Sequence, residues 1–300
     1  MRQDQYLALI PALLPIARQA GDAIMAVYAA GESAVAHKAD HSPVTAADHA
    51  AHRVLAAQLQ PLLPNCPVVS EEDAASHAQR QSTGRFWLID PLDGTKEFIA
   101  RNGEFTVNIA LIEDGRSVLG VVFAPASGEL YWGGHGLGAF CQRGDETSAI
   151  ATASVSSTAP ASSTAAASSS ATSSAPATPS ETATPSGTAS ASFQSAEVCR
   201  VVVSRSHLDA ETQAFIDRLA PVRLVQAGSS LKFCRVAEGA ADIYPRMGPT
   251  CEWDTAAAQA VLEGAGGVVL DLHGVPLRYG KPELLNPFFI ATRDAALIPA

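Results

Sequence analysis

Asp90 and Asp93 flank Pro91 and Leu92 in the run Phe86-Trp-Leu-Ile-Asp-Pro-Leu-Asp-Gly-Thr-Lys-Glu-Phe98. Pro91 fixes one φ angle and Gly94 permits a tight backbone path, so a rigid turn would present both carboxylates to a hard cation. If Thr95 to Ile99 forms a helical turn, its free N–H groups face the same point and suit an anion. Metal and phosphate would then meet in one place. Three more acids sit where structural elements begin or end: Glu71 after Val68-Val69-Ser70, Asp254 ahead of an alanine-rich run, and Asp48 shortly after Thr45. Each acid also has a plain structural reading. Asp90 and Asp93 suit a turn, Glu71 a solvated acidic run, Asp254 an N-cap, and Asp48 the acid of a capping box.

The elements that must position these residues follow from apolar spacing. Phe86 to Ile89 reads as a short buried strand that delivers the two aspartates. Upstream, Leu7, Ile10, Leu14, Ala17, Ile24 and Tyr28 approximate helical spacing, with Pro11 and Pro15 arguing for a late start or a kink. Thr45-Ala-Ala-Asp48 opens a second helix through Val54, Leu55 and Leu59. Thr106 to Ile112, Val118 to Ala124 and Glu129 to Gly133 are β-rich runs joined by short turns, which predicts an antiparallel sheet. In the last third of the chain, strands alternate with helical runs at Ala210 to Leu219, Leu231 to Glu238 and from Trp253 onward. That alternation implies helices packed on sheet, an α/β fold of layered α+β type.

Thirty acids against twenty bases give a net charge of −10, which argues against non-specific nucleic-acid binding and calls for a cation between protein and phosphate. Cys66, Cys141, Cys199, Cys234 and Cys251 form no Cys-x-x-Cys pair, so neither a zinc ribbon nor a disulfide framework is suggested. A reducing, cytoplasmic compartment is the expectation, with peripheral contact at the inner face of the cell membrane left open. The uncharged N-terminal stretch contains two prolines and lacks the basic region and cleavage site of a signal peptide, and it is not read as a membrane span. From about Thr147 to Ser192 the chain is almost entirely Ser, Ala, Thr and Pro, too poor in apolar bulk to offset its ordering entropy. This divides the sequence into an N-terminal metal-binding part at 1–145, a disordered insertion at 146–196, and a C-terminal α/β part at 197–300 that completes the site.

Asp90-Pro-Leu-Asp-Gly-Thr95, Trp253-Asp254-Thr255 before Gly264-Ala-Gly-Gly267, and Val69-Ser-Glu-Glu-Asp73 resemble, in order, motifs of the inositol monophosphatase family. The likeness spans both sides of the low-complexity tract. Asp93-Gly-Thr-Lys-Glu-Phe98 and Gly228-Ser-Ser-Leu-Lys-Phe233 are more similar to its bacterial 3'(2'),5'-bisphosphate nucleotidases of the CysQ type. So are Ala237 to Arg246 and Gly248-Pro-Thr-Cys-Glu-Trp-Asp254. The departures are the insertion after Asp145 and Cys251, where a small hydroxyl residue is expected.

The resemblance implies Mg2+ as cofactor. Glu71, Asp90 and the Leu92 carbonyl would hold one ion, and Asp90, Asp93 and Asp254 a second, with hydrolysis of the 3'-phosphate of adenosine 3',5'-bisphosphate to AMP as the reaction. A further substrate would be 3'-phosphoadenylyl sulfate, and the runner-up class is inositol phosphates. Water deprotonation has two candidates, Glu71 or Thr95 relayed by Asp48. Glu71, Leu92, Asp93, Gly94, Thr95 and Asp254 would surround the reacting phosphate, while Lys96, Lys232 and Arg246 are candidate contacts for a second one. Ordinary surface bases are the competing reading for those three. His49 and His52 have a helical spacing that suits zinc, without a third soft ligand. Trp87 and Phe98 read as core, and Ser204-Arg-Ser-His207 could face a nucleotide. A non-catalytic nucleotide or metal-binding protein is the alternative from another class. The partner expected is a small nucleotide bisphosphate, with no nucleic acid and no integral membrane segment; oligomeric state leaves no mark in the sequence.

Overall fold

Side chains along the strand Arg85–Asp93 alternate between two cores. Phe86 and Leu88 enter one, Trp87 and Ile89 the other, and none is more than 2% exposed. Both faces of its sheet are therefore covered. The structure, a computed structural model, describes residues 2–31, 36–37, 43–152, 198–205 and 208–299.

Seven strands form the larger sheet, in the order Val68–Ser70, Arg85–Asp93, Thr106–Glu113, Arg116–Ala124, Glu129–Gly134, Gly138–Arg143 and Glu146–Ile150. The first pair is parallel and every later pair antiparallel. The three expected antiparallel strands are present, and two more follow. Gly136 and Gly144, at φ +77° and +58°, turn the chain back each time. The last strand corrects the boundary expected at residue 146: Glu146–Ile150 pairs along Gly138–Arg143, and Thr152 N–H donates to the Ala265 carbonyl at 2.9 Å. Pairing with an edge strand satisfies the backbone of residues whose composition alone argued against a strand. The rest of the tract, residues 153–197, lies outside the described residues.

A second, five-stranded sheet runs Val222–Ala227, Cys199–Ser204, Ile243–Arg246, Phe289–Thr292 and Val268–Asp271. The first three strands are parallel and the last two pairs antiparallel.

Helices fill the spaces these sheets leave. Against the Trp87 and Ile89 face lie Ile10–Ala30, through Leu13, Ala17, Ala20 and Ile24, and Ala46–Leu59, through Ala47, Ala51, Leu55 and Leu59. Their three- and four-residue spacing is the apolar stripe of an amphipathic helix. The N-terminal helical segment does break, at residues 8 and 9, and Ile10–Ala30 restarts with Pro11 in its first turn. Gln3–Ala30 is long and apolar enough to cross a membrane, but Leu9, Leu13, Ile16, Ala17, Ala20 and Ile24 along it are buried in this core. On the other face, Leu231–Ala237 and Glu252–Gly264 are sandwiched between the two sheets. Ala210–Asp217 covers the outer face of the smaller sheet through Phe215 and Ile216. The result is a helix, sheet, helix, sheet, helix stack, the layered architecture expected.

The helix Glu252–Gly264 sits unusually close to the larger sheet. A Cβ at Gly120 would come within 2.0 Å of the Ala257 carbonyl oxygen, and one at Gly264 within 2.5 Å of that of Gly138. Alanines at positions 256, 257, 258 and 260, all buried, make that approach possible.

Candidate active site

The ladder between Arg85–Asp93 and Thr106–Glu113 shifts register between Asp90 and Asp93, because Pro91 has no N–H to give it. Asp90 is buried and accepts the Leu92 N–H at 3.1 Å. Gly94 then takes φ +90°, and a Cβ there would lie 2.1 Å from Ser229 Oγ, so both conformation and space require glycine. The chain enters the short helix Thr95–Ile99, as expected.

Asp93 is held by the Gly228-Ser-Ser230 segment. Its Oδ2 accepts the Ser230 N–H at 2.6 Å, with Thr106 Oγ1 at 3.4 Å and Asn108 Nδ2 at 3.5 Å. Ser230 Oγ reaches Asn108 Oδ1 at 2.7 Å, and Ser229 Oγ lies between the carbonyl oxygens of Asp93 and Glu104. Part of the motif that carried the nucleotidase likeness thus buttresses the aspartate turn.

Asp254 occupies the third position of Glu252–Gly264 and accepts the Cys251 N–H at 2.8 Å. Cys251, not Asp254, stands at the N-cap. Asp48 closes the capping box expected at Ala46–Leu59: the Thr45 N–H and hydroxyl both donate to its Oδ2 at 2.7 Å. Oδ1 is left to accept the Thr95 hydroxyl at 3.3 Å, while Thr95 Oγ1 also lies 3.5 Å from the Leu92 carbonyl.

The electrostatics are those of acids pressed together. Burial pushes Asp93 up to about 6, against the pull of Lys232 and the Ser230 N–H, and Glu97 and Glu71 push it further. Burial also raises Asp254 well above the ordinary carboxylate range, with Asp93 and Glu71 adding to it. Asp48 is raised by burial against its bonds from Thr45. Lys232, 7% exposed, is lowered by burial and supported by Asp93. Buried carboxylates that repel one another fit a divalent cation, which would relieve the repulsion. Among the described residues, no group of three or more His, Cys, Asp or Glu side chains is drawn together as a ready-made metal cage.

A cavity of about 440 Å³ opens beside these acids. Of the expected site residues, Asp93, Gly94, Lys96, Lys232, Arg246 and Asp254 line it. Glu71, Asp90, Leu92, Thr95 and Asp48 do not, although the charge of Glu71 acts on both Asp93 and Asp254. Lys232 Nζ lies 5.5 Å from the centre of the Tyr244 ring. Ser204 also lines the cavity, whereas Ser206 and His207 lie outside the described residues. Trp87 and Phe98 are core. His52 Nδ1 is engaged at 2.8 Å by Ser70 Oγ and His49 is exposed, so the two do not form a zinc pair.

Sequence reasoning assigned no site role to Tyr244, Asp209 or Thr250, all on the cavity wall. Asp209 caps the helix Ala210–Asp217, accepting the Thr212 N–H at 2.7 Å. Tyr244 and Thr250 carry one further signal, their position within segments similar to a family motif.

Fold and site together define the class: residues 7–296 match the inositol monophosphatase family, and the chain belongs to it. Within the family it is 44% identical over 276 residues to the 3'(2'),5'-bisphosphate nucleotidase CysQ of Escherichia coli O157:H7, which covers 91% of this chain and 95% of that protein. The crystal structure of CysQ from Bacteroides thetaiotaomicron superposes with a TM-score of 0.72 at 36% identity, covering 97% and 98% of the two chains. An inositol monophosphatase from Zymomonas mobilis superposes with a TM-score of 0.68 at 26% identity, over 98% and 95%.

Proposed function

We propose that this protein is a magnesium-dependent phosphatase that hydrolyses the 3'-phosphate of adenosine 3',5'-bisphosphate to AMP and phosphate. One observation carries the choice of substrate: the cavity wall that holds Asp93 and Asp254 also holds Lys96, Lys232 and Arg246. A bisphosphate brings a second charge that the metal-binding acids and their cation would not meet, and these basic side chains on the same wall can meet it. Similarity to the CysQ nucleotidases supports the same reading.

Glu71, Asp90, the Leu92 carbonyl, Asp93 and Asp254 would hold the magnesium. Bound there, it supplies positive charge to the phosphate oxygens and to the leaving oxygen, and acidifies water. The chain's own groups do the rest. Backbone N–H groups of Gly94 and Thr95 would receive phosphate oxygens, at the point where Gly94 keeps side chains away. Thr95, hydrogen-bonded to Asp48, or Glu71 would accept the proton as a water oxygen attacks phosphorus and the bond to the ribose oxygen breaks. Lys232 and Arg246 would fix the second phosphate and so align the first. All five cysteines are free thiols, which accords with a cytoplasmic location.

The test is a comparison of kcat/KM for adenosine 3',5'-bisphosphate, 3'-phosphoadenylyl sulfate and inositol 1-phosphate with saturating Mg2+. The nucleotide is expected to be preferred. A preference for the inositol ester would sink this reading in favour of the inositol phosphatase activity.

A further inference from the structure

Glu252 is fully buried two residues before Asp254, and nothing in the mechanism above uses it. It collects four donors: Arg80 Nη1 at 3.1 Å, Lys281 Nζ at 2.6 Å, and the backbone N–H groups of Gly280 at 2.9 Å and Lys281 at 3.0 Å. Arg80, 5% exposed, is itself fixed, with Nε donating to the His77 carbonyl at 2.9 Å and Nη1 reaching the Lys281 carbonyl at 3.2 Å. His77 in turn places Nε2 2.9 Å from the carbonyl of Ser70, the residue before Glu71. The His77 ring also lies 5.0 Å from that of Trp253, the residue before Asp254.

These contacts close a loop: Glu71, Ser70, His77, Arg80, Glu252, Trp253, Asp254. The two ends of that path are acids that repel one another. A buried ion pair adds little net stability over apolar packing, so its presence calls for another reason. What it does provide is direction, since a carboxylate with four donors and a guanidinium with three bonds have one mutual placement.

We infer that Arg80 and Glu252 are positioning residues that hold the Glu71 segment against the Asp254 helix start, so that the affinity for a divalent ion depends on their pairing. The inference rests on the metal-dependent reading above. Groups that orient metal ligands without touching the ion typically shift metal affinity by about 10–100-fold when replaced, and that is the effect expected here.

The experiment titrates Mn2+ into the full-length, metal-stripped protein by calorimetry, beside KM and kcat for adenosine 3',5'-bisphosphate at saturating metal and the melting temperature. Glu252→Gln is expected to weaken the Mn2+ Kd about 10–100-fold with KM nearly unchanged. Arg80→Lys keeps the charge but cannot bond His77 and Glu252 together, and is expected to weaken it less. It also serves as the test variant should Glu252→Gln fail to fold. Arg143→Met breaks a different ion pair, to Glu129 and Glu238, and controls for destabilisation; its Kd should match the parent. Variants that fold and bind Mn2+ like the parent overturn the inference while leaving the phosphatase reading intact. A parent that neither binds Mn2+ nor hydrolyses the nucleotide overturns both.

Discussion

Thr95 donates its hydroxyl proton to Asp48 Oδ1 at 3.3 Å, across a gap of 47 residues in sequence. The capping box that orders Ala46–Leu59 therefore also fixes a carboxylate to which Thr95 could pass a proton. Replacing Thr95 with Ala should lower kcat by about 10²–10⁴-fold, the usual worth of a positioned acid or base, with KM little changed. Thr95→Ser should recover most of it. Full kcat in Thr95→Ala, measured at saturating Mg2+, would leave Glu71 as the proton acceptor.

Asp93 and Asp254 are expected to destabilise the metal-free fold and to be needed for activity. Asp93→Asn keeps an oxygen for the Ser230 N–H and removes one of the repelling charges. Its unfolding free energy in chelator at neutral pH should rise by up to about 3 kcal/mol if the whole shift is relieved, read as a higher melting temperature. Its kcat/KM should fall by at least about 10²–10³-fold, the usual cost of deleting one preorganised electrostatic group. A variant that is both less stable without metal and fully active would refute the role given to Asp93.

The pH dependence has a definite sign. Asp93 titrates near 6 in the fold against an ordinary 3.8, so the folded state holds the proton more tightly than the unfolded chain. Its contribution to stability is complete below the unfolded value and is lost as pH rises through about 6. Asp254 and Asp48 shift in the same direction. Glu129 shifts the other way: burial works against it, but bonds from Arg235 and Arg143 hold it at about 2, so its contribution falls away only in more acidic solution. Metal held by Asp93 would compete with its proton. The melting-temperature gain from added Mg2+ should therefore grow between pH 5 and pH 7 and level off above. A gain that is constant across that range would contradict the assignment.

Lys232 should separate substrates. Lys232→Met is expected to raise KM for adenosine 3',5'-bisphosphate by about 10-fold or more, a charged hydrogen bond being worth about 1.5–3 kcal/mol. KM for 3'-AMP, which lacks the second phosphate, should change far less. An equal effect on both would assign Lys232 to the reacting phosphate or to support of Asp93.

The low-complexity tract is expected to be dispensable, within limits set by the sheet. Replacing residues 154–196 with a short Gly/Ser linker should leave kcat within about twofold of the parent, since none of the expected site residues lies there. A deletion that begins at Thr147 should instead damage folding, because it removes the edge strand Glu146–Ile150. Circular dichroism melts of the two deletions would distinguish these outcomes.

Much of this site was readable in advance because its acids sit at element boundaries, where local rules are strong. Thr45 and Asp48 announce a capping box, Pro91 and Gly94 a constrained turn, and the unbroken apolar run Phe86 to Ile89 a short buried strand. What escaped was long-range pairing. Nothing in the neighbourhood of Arg80 indicates Glu252, and nothing near Ser230 indicates Asn108, because these contacts depend on where distant strands and helices come to rest. The strand at Glu146–Ile150 was missed for the same reason: its partner, not its composition, makes it a strand.

The near-contact between Gly120 and Ala257 bears on how this enzyme would respond to random mutation. A methyl group added at Gly120 has nowhere to go except into the backbone of the helix that carries Asp254. A screen for loss of activity should therefore return replacements at Gly120 and Gly264 alongside those in the turn after Ile89. Such clones would look like damaged chemistry and would in fact be damaged masonry: soluble chains whose catalytic acids are all present and whose supporting wall has moved.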